Sequence, residues 1–361
     1  MSRLTLSRRR ATTAAALLLA AVAALPGTPA LAGTEPSENA WVVVRKPLLA
    51  AYEPAARDRW NSAGGAIAVV RVDTGQWDVT IPGQSALATD NGGHVQVTAL
   101  GDSPAICSAD YWVGLGTAIV VRVRCEGVGG GAKDSKFSLG WVHEGYDAGT
   151  NPTFGYVYLD NPNLNSGTPR TDYQQDVAGG TITFTSSAMG AHQMRFPNVE
   201  ELTYATLTPY GSPLRCRIVS WYPDGSDVVV ATSCGGSVPT DKSYLLYASR
   251  NEGPLGFGPD GATAWANQPR ATRPYRPSAS YRYSSRRGSP VISRTSTGVY
   301  TVRFPNQLPG GAAFVSAYGS SDRTCQAGSI ARRGASASVV VRCFDPAGAL
   351  ANAQFTIGWV R

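Results

Sequence analysis

Apolar and polar side chains alternate along most of this chain. Gly298-Val-Tyr-Thr-Val-Arg-Phe-Pro305 puts Tyr300, Val302 and Phe304 on one face and Val299, Thr301 and Arg303 on the other. A period of two, closed by a residue that cannot donate to a ladder, predicts a half-buried strand. Two earlier segments follow the same rule, Gly75-Gln-Trp-Asp-Val-Thr-Ile-Pro82 and Gly190-Ala-His-Gln-Met-Arg-Phe-Pro197, with Trp77 and His192 in the place of Tyr300. Alternating runs precede each of them (66–72, 181–185, 290–294) and follow each of them (94–100, 203–207, 312–318). Opening strands are expected at 41–44, 156–159 and 264–267, and closing strands at 137–142, 244–248 and 355–360. About seven short strands per ~100 residues, with turn signals between them and no sustained helical period, is the pattern of a β-sandwich or small barrel.

The cysteines set the register. Cys107 and Cys125, Cys216 and Cys234, and Cys325 and Cys343 are each 18 residues apart, and successive pairs are offset by 109. Gly116, Gly225 and Gly334 lie midway between them. Six cysteines allow fifteen pairings; the repeat selects the three within hairpins, where residues equidistant from a turn face each other inside disulfide range. Zinc motifs have two to four residues between paired cysteines and here there are seventeen, so these are structural staples and no metal or cofactor is expected.

The expected fold is therefore all-β: three tandem jelly-roll-like β-sandwich domains, each with one disulfide inside a hairpin. The boundaries are 33–143, 155–250 and 262–361, with linkers at 144–154 and 251–261 rich in Gly, Pro and Asp or Asn. Residues 1–32 read as a secretory signal peptide: Arg3, Arg8, Arg9 and Arg10, an apolar run from 14 to 25, and Ala30-Leu31-Ala32 before Gly33. That apolar run is too short to span a bilayer, and no other transmembrane segment is expected. The mature protein is thus expected to be secreted and extracellular, where paired cysteines oxidise.

Charge separates the third unit from the others. From residue 262 onward there are thirteen arginines, no lysine and only Asp322 and Asp345 as acids, a net of +11. Residues 33–261 carry fifteen basic and twenty-three acidic side chains, a net of −8. Arginine and tyrosine interleave from 270 to 294, and Arg270, Arg273, Tyr275, Arg276, Tyr281, Arg282, Tyr283, Arg286 and Arg287 are the candidate ligand-binding residues. Guanidinium forks suit phosphate or carboxylate and the rings suit stacking, so an anionic polymer or glycan is the expected partner. The bland reading is a solvated face balancing, or docking on, the acidic units. Trp60, Tyr281 and Tyr283 are further expected to offer an exposed stacking face, while Trp112 and Trp221 are equivalent, with Ile330 as their counterpart, and read as core.

Signals for catalysis are weak. Asp73-Thr74-Gly75 looks like an aspartic-protease loop, but the other copies keep only the glycine (Gly190, Gly298). Gly101-Asp102-Ser103 has no companion histidine motif, and His192 occupies a packing position. Gly127 to Asp134 lacks the glycine and hydroxyl of a phosphate loop. Asp90 to Gly93 and Asp224 to Asp227 read as hairpin turns before calcium sites. A hydrolase would have to gather Asp73, Asp102, Ser103 and His94 between domains.

The run Gly298 to Pro305, then Val315-Ser-Ala-Tyr-Gly319, then the hairpin ending Val339-Val-Val-Arg-Cys-Phe-Asp345 resembles a tandem repeat of secreted bacterial proteins of unknown function. The Gly-x-Tyr strand and the closing Phe-x-Ile strand are similar to jelly-roll units of the complement globular-head or H-type lectin kind. That resemblance implies a sandwich, and a third functional reading: three copies in one chain forming a pseudo-threefold interaction module.

Overall fold

A computed structural model describes residues 38–84, 92–143, 153–235, 240, 242–256 and 260–361. The expected signal peptide and most of the first expected linker lie outside these residues, as do Asp90 and Asn91. Repeat 1 runs β1 (Glu38–Val44), β2 (Ala51–Tyr52), β3 (Arg59–Asn61), β4 (Ala68–Asp73), β5 (Gln76–Pro82), β6 (His94–Leu100), β7 (Ala105–Leu115), β8 (Ala118–Gly127) and β9 (Lys136–His143). Repeat 2 runs β10 (Thr153–Leu159), β11 (Ser166–Gly167), β12 (Gln174–Asp176), β13 (Thr183–Ala188), β14 (Ala191–Phe196), β15 (Tyr204–Pro209), β16 (Cys216–Asp224), β17 (Asp227–Cys234) and β18 (Tyr244–Arg250). Repeat 3 runs β19 (Gly261–Ala266), β20 (Arg282–Ser284), β21 (Val291–Ser296), β22 (Val299–Pro305), β23 (Ala312–Tyr318), β24 (Thr324–Arg332), β25 (Ser336–Phe344) and β26 (Gln354–Val360).

Each repeat is a sandwich of two antiparallel sheets. The inner sheets are β3-β1-β9-β6, β12-β10-β18-β15 and β20-β19-β26-β23; the outer ones are β2-β4-β5-β8-β7, β11-β13-β14-β17-β16 and β21-β22-β25-β24. The ring position of the alternating segment is buried in every copy. Trp77 donates Nε1–H to the Pro47 carbonyl, Tyr300 its hydroxyl to that of Pro269, and His192 Nδ1 lies 2.9 Å from Ser186 Oγ. All three disulfides are formed, each joining directly opposed residues with Cα atoms 4.1 Å apart.

One feature of the hairpins is absent from a simple count about the glycine. The turn pairs Leu115 with Ala118 and Asp224 with Asp227, which alone would leave the cysteines out of register by one. A β-bulge at Asp110, Val219 and Gly328, again 109 apart, restores it. Bulges bend and twist a strand and disrupt its ladder locally. Here the residue before each bulge turns its carbonyl to the neighbouring repeat. Ala109 O accepts from Gly211 N (2.8 Å), Ile218 O from Gly319 N (2.9 Å), and Ala327 O from Gly101 N (2.8 Å). Repeat 1 thus joins 2, 2 joins 3, and 3 joins 1, by parallel bridges. The three sandwiches close into a pseudo-threefold ring.

On the axis, β6, β15 and β23 each present a free sheet edge to the next copy. Val97 N–H donates to Thr208 Oγ1 (3.1 Å), Leu207 N–H to Ser316 Oγ (2.8 Å), and Val315 N–H to Thr98 Oγ1 (3.0 Å). The three hydroxyls are buried. Beyond them a cavity of about 40 Å3 is walled by Cys107, Cys216 and Cys325, enough for water but far below a ligand pocket.

The expected linker at 251–261 is no exposed tether. Glu252 to Gly256 are buried, and the Pro254 carbonyl accepts from Gln96 on the axis. Leu255 and Phe314 fill the space beside Gly140, while Pro254 and Tyr204 fill that beside Gly358. In repeat 2 the matching residue is Tyr247, whose hydroxyl donates to Gly253 O and accepts from Gly256 N, both at 2.8 Å. The break in the repeat pattern at Tyr247 is therefore what anchors this segment.

Because buried Val315 N–H has Thr98 Oγ1 as its partner, Thr98→Val removes that acceptor at constant shape. We expect a loss of about 1–3 kcal/mol, read as a lower denaturant midpoint at unchanged slope; an unaltered midpoint would show the hydroxyl ring to be dispensable.

Candidate functional site

The seams between repeats gather most of the irregular aromatics. At the first, Trp112 of β7 meets Tyr158, Tyr173 and Tyr210, with centroids 5.6–6.2 Å from its own. At the second, Trp221 of β16 meets Trp265, Tyr281 and Tyr318 at 5.0–6.4 Å. At the third, Ile330 and Trp60 pack against a core that includes Val43 and Leu100 and is shared by repeats 3 and 1. Trp112 and Trp221 are half-buried seam residues, whereas Trp141 and Trp359 lie in sandwich interiors. Trp60, Tyr281 and Tyr283 do not form one stacking face: Trp60 lies at the third seam, Tyr281 at the second, and Tyr283 on β20 beside a different groove.

The arginine-rich segment divides into a pinned loop and a groove. Tyr275 makes two backbone hydrogen bonds with Ile292 of β21, both 2.9 Å, and its hydroxyl accepts from Gln268 N. Its half-buried ring packs on the third core, and burial pushes its hydroxyl pKa up to about 12. This anchoring leaves Arg270, Arg273 and Arg276 on the surface, with no acidic partner among the described residues. Arg286 is neutralised by Asp260 (Nε to Oδ2, 2.8 Å).

Arg282 and Arg287 line an open groove of about 310 Å3 with Tyr283, Ser284, Ser289 and Pro290. Arg282 is steered by one nitrogen, Nη1, bonded to Pro277 O at 2.8 Å, and neither arginine has an acidic partner among the described residues. The turn carrying Arg287 is clamped: its N–H donates to Ser284 O, and its carbonyl accepts from Asn306 Nδ2 at 3.0 Å. Burial, with Glu252 and Asp260 nearby, pushes the Tyr283 hydroxyl up to about 12, so the ring stays neutral.

Arg287 has φ +50°, the one left-handed residue among those described that is neither glycine nor asparagine. The same turn in the other copies uses Gly64 (+74°) and Gly179 (+83°). Asn198 Nδ2 holds the Gly179 carbonyl as Asn306 holds that of Arg287. Sequence reading placed Arg287 in the basic segment but missed its backbone strain. Aligning Gly64 with Gly179 and Arg287 was the available signal.

The groups needed for hydrolysis do not converge. His94 and Asp102 flank opposite ends of β6, whose seven residues span roughly 20 Å. Asp73 caps its own turn through Thr74 N–H, and Asp102 pairs with Arg342 Nε at 2.9 Å. The loop ending at Asp134 is structural: Arg71 forks onto that carboxylate at 2.8 and 3.1 Å, holding it below the usual range, and Gly75 N–H adds a third bond. Asp224 and Asp227 close a hairpin bridged by Arg195. Among the described residues no cluster of His, Cys, Asp or Glu suits a metal ion, and no helix is long and apolar enough to cross a membrane. Comparison with known protein families, with curated proteins and with solved structures found no match.

His94 is fully buried between Tyr156 (5.5 Å) and Tyr247 (5.9 Å), with neither ring nitrogen hydrogen-bonded among the described residues. Burial lowers its pKa to about 3. Between about pH 3 and 6.5 the unfolded chain therefore binds a proton that the folded chain does not, and stability falls as pH drops through that window. Burial pushes Asp176 and Glu252 up to about 7, which acts in the opposite sense above about pH 4. A His94→Phe variant should keep the stack and lose only the histidine term. The stability of the native chain relative to it should decline by at most about 1.4 kcal/mol per pH unit on acidification; parallel denaturation profiles at pH 4 and 7 would disprove this.

Proposed function

We propose that the protein is a secreted, non-enzymatic binding protein whose third repeat takes an anionic polymer or glycan in the groove of Arg282 and Arg287. The observation that carries this reading is the left-handed Arg287. That backbone region costs an ordinary residue roughly 1–2 kcal/mol, and glycine escapes the penalty. Two copies of the turn use glycine at the same point, so the arginine is a local disadvantage to folding that its side chain offsets in another way. Strain held at a surface groove marks function more often than packing. The neighbouring Ser284 and Ser289 supply hydroxyls, and Arg270, Arg273 and Arg276 extend positive charge along the loop that meets β21 two residues beyond Pro290.

The closed ring favours the pseudo-threefold module as the scaffold for this function. Three seams of one design hold the third repeat rigidly, so a groove on it is pre-organised. Three disulfides agree with the oxidising, extracellular setting implied by the N-terminal pattern.

Arg287→Gly separates folding from binding. Stability should stay level or rise by up to about 1 kcal/mol, while affinity for a sulfated or carboxylated polysaccharide at low salt falls about tenfold, one charge-assisted contact. The slope of log affinity against log salt should become shallower. Unchanged binding in both Arg287→Gly and Arg282→Ala would sink the proposal.

A further inference from the structure

The seam between repeats 2 and 3 opens into a groove of about 300 Å3. Leu202, Pro223 and the rings of Trp221 and Tyr281 form its floor and wall, and Glu200 and Glu201 stand at its lip. The two ring centroids are 6.4 Å apart and the planes inclined at 59°, so the rings meet as a corner. Trp265 supports both, 5.6 and 4.7 Å from them. Arg250 reaches Glu200 at 3.3 Å and Glu201 at 3.9 Å. One guanidinium between two carboxylates, 76% and 45% exposed, leaves a net negative charge over an aromatic corner. That combination attracts an organic cation, which gains from the ring faces and from the carboxylate at once.

The homologous seam between repeats 1 and 2 supplies an independent indication. Trp112 and Tyr173 form the same corner, 5.6 Å apart at 65°. There the chain provides its own cation: the Arg170 guanidinium lies 4.5 Å from the centroid of the Tyr173 ring. Tyr173 and Tyr281 each end a one-turn 3-10 segment, and the residue capping that segment is Arg170 in repeat 2 but Ser278 in repeat 3. Serine cannot reach over the ring. Arg170, itself paired with Asp172, stands over the Tyr173 ring at one seam; among the described residues no cationic side chain stands over Tyr281 at the other, where Glu200 and Glu201 line the groove.

We infer that the groove between repeats 2 and 3 binds an organic ammonium group, quaternary or primary, on Trp221 and Tyr281 with Glu200 and Glu201 as counter-charges. This site is separate from the arginine groove and does not depend on it.

The test is calorimetric titration of the full chain with choline, with n-butylammonium, and with 3,3-dimethylbutan-1-ol, the neutral isostere of choline. Choline or butylammonium should bind about tenfold more tightly than the neutral alcohol, and which of the two binds better identifies the class of amine. Glu200→Gln combined with Glu201→Gln, both on the surface, should erase that preference without altering the unfolding midpoint. Ser278→Arg, which copies Arg170, should block the groove. Equal affinity for the alcohol, retention of cation binding in the double glutamine variant, competition by a neutral oligosaccharide with no effect of charge, or no binding by either amine would each overturn the inference.

Discussion

The arrangement rests on one backbone hydrogen bond made three times, from a glycine N–H just after β6, β15 or β23 to the carbonyl before a bulge in a neighbouring hairpin. A sandwich with an open inner edge exposes unpaired N–H and C=O groups, and such edges must be covered or they aggregate. Here each copy covers its neighbour's edge. The hydroxyls of Thr98, Thr208 and Ser316 then satisfy the donors that the parallel bridges leave over. Closure after three copies follows from repetition of one heterologous contact whose rotation closes. The disulfide stands two residues before the carbonyl that makes the bridge, with the bulge immediately after it. The staple therefore fixes the geometry of the seam as well as the hairpin.

Because the same contact recurs, differences between seams are informative. Two carry aromatic clusters and the third carries Ile330 with Trp60, in a core continuous between the last and first repeats. The second inter-repeat segment enters the axis, held by Tyr247 and Gln96.

Much of this was legible in the sequence. Period-two alternation gave the strands, with 94–100 and 312–318 matching β6 and β23 at both ends, and the 109-residue offset gave the disulfide pairs. What it concealed was anything requiring two repeats at once. Thr98, Thr208 and Ser316 look like ordinary strand residues, since their importance comes from a neighbour 109 to 217 residues away. Composition at 251–261 marks a join between units, and Pro and Gly equally suit a segment that must thread between close-packed sheets, where Gly140 and Gly358 leave room for it. Composition marks the candidate arginines as a charged segment. The distinction between Arg286, paired with Asp260, and Arg282 and Arg287, which face a groove, depends on side-chain placement that composition does not carry.

The charge asymmetry can now be weighed against its bland alternative. If the arginines of repeat 3 served to neutralise repeats 1 and 2, the seams should be laced with ion pairs between copies. Among the described residues those pairs are few: Arg342 with Asp102, and Asp322 with Arg215 and Arg217 at 3.6–3.7 Å. In the last two the third repeat contributes the acid. The seams are instead held by backbone bonds, hydroxyls and rings, which are indifferent to net charge. Acidic side chains of repeats 1 and 2 pair largely within their own copy, as Asp78 does with Arg122 and Asp134 with Arg71. Positive charge on the third repeat is thus left facing solvent at a fixed place. An exposed field of one sign destabilises the compact state through self-repulsion, which is the physical ground for the anionic partner proposed above.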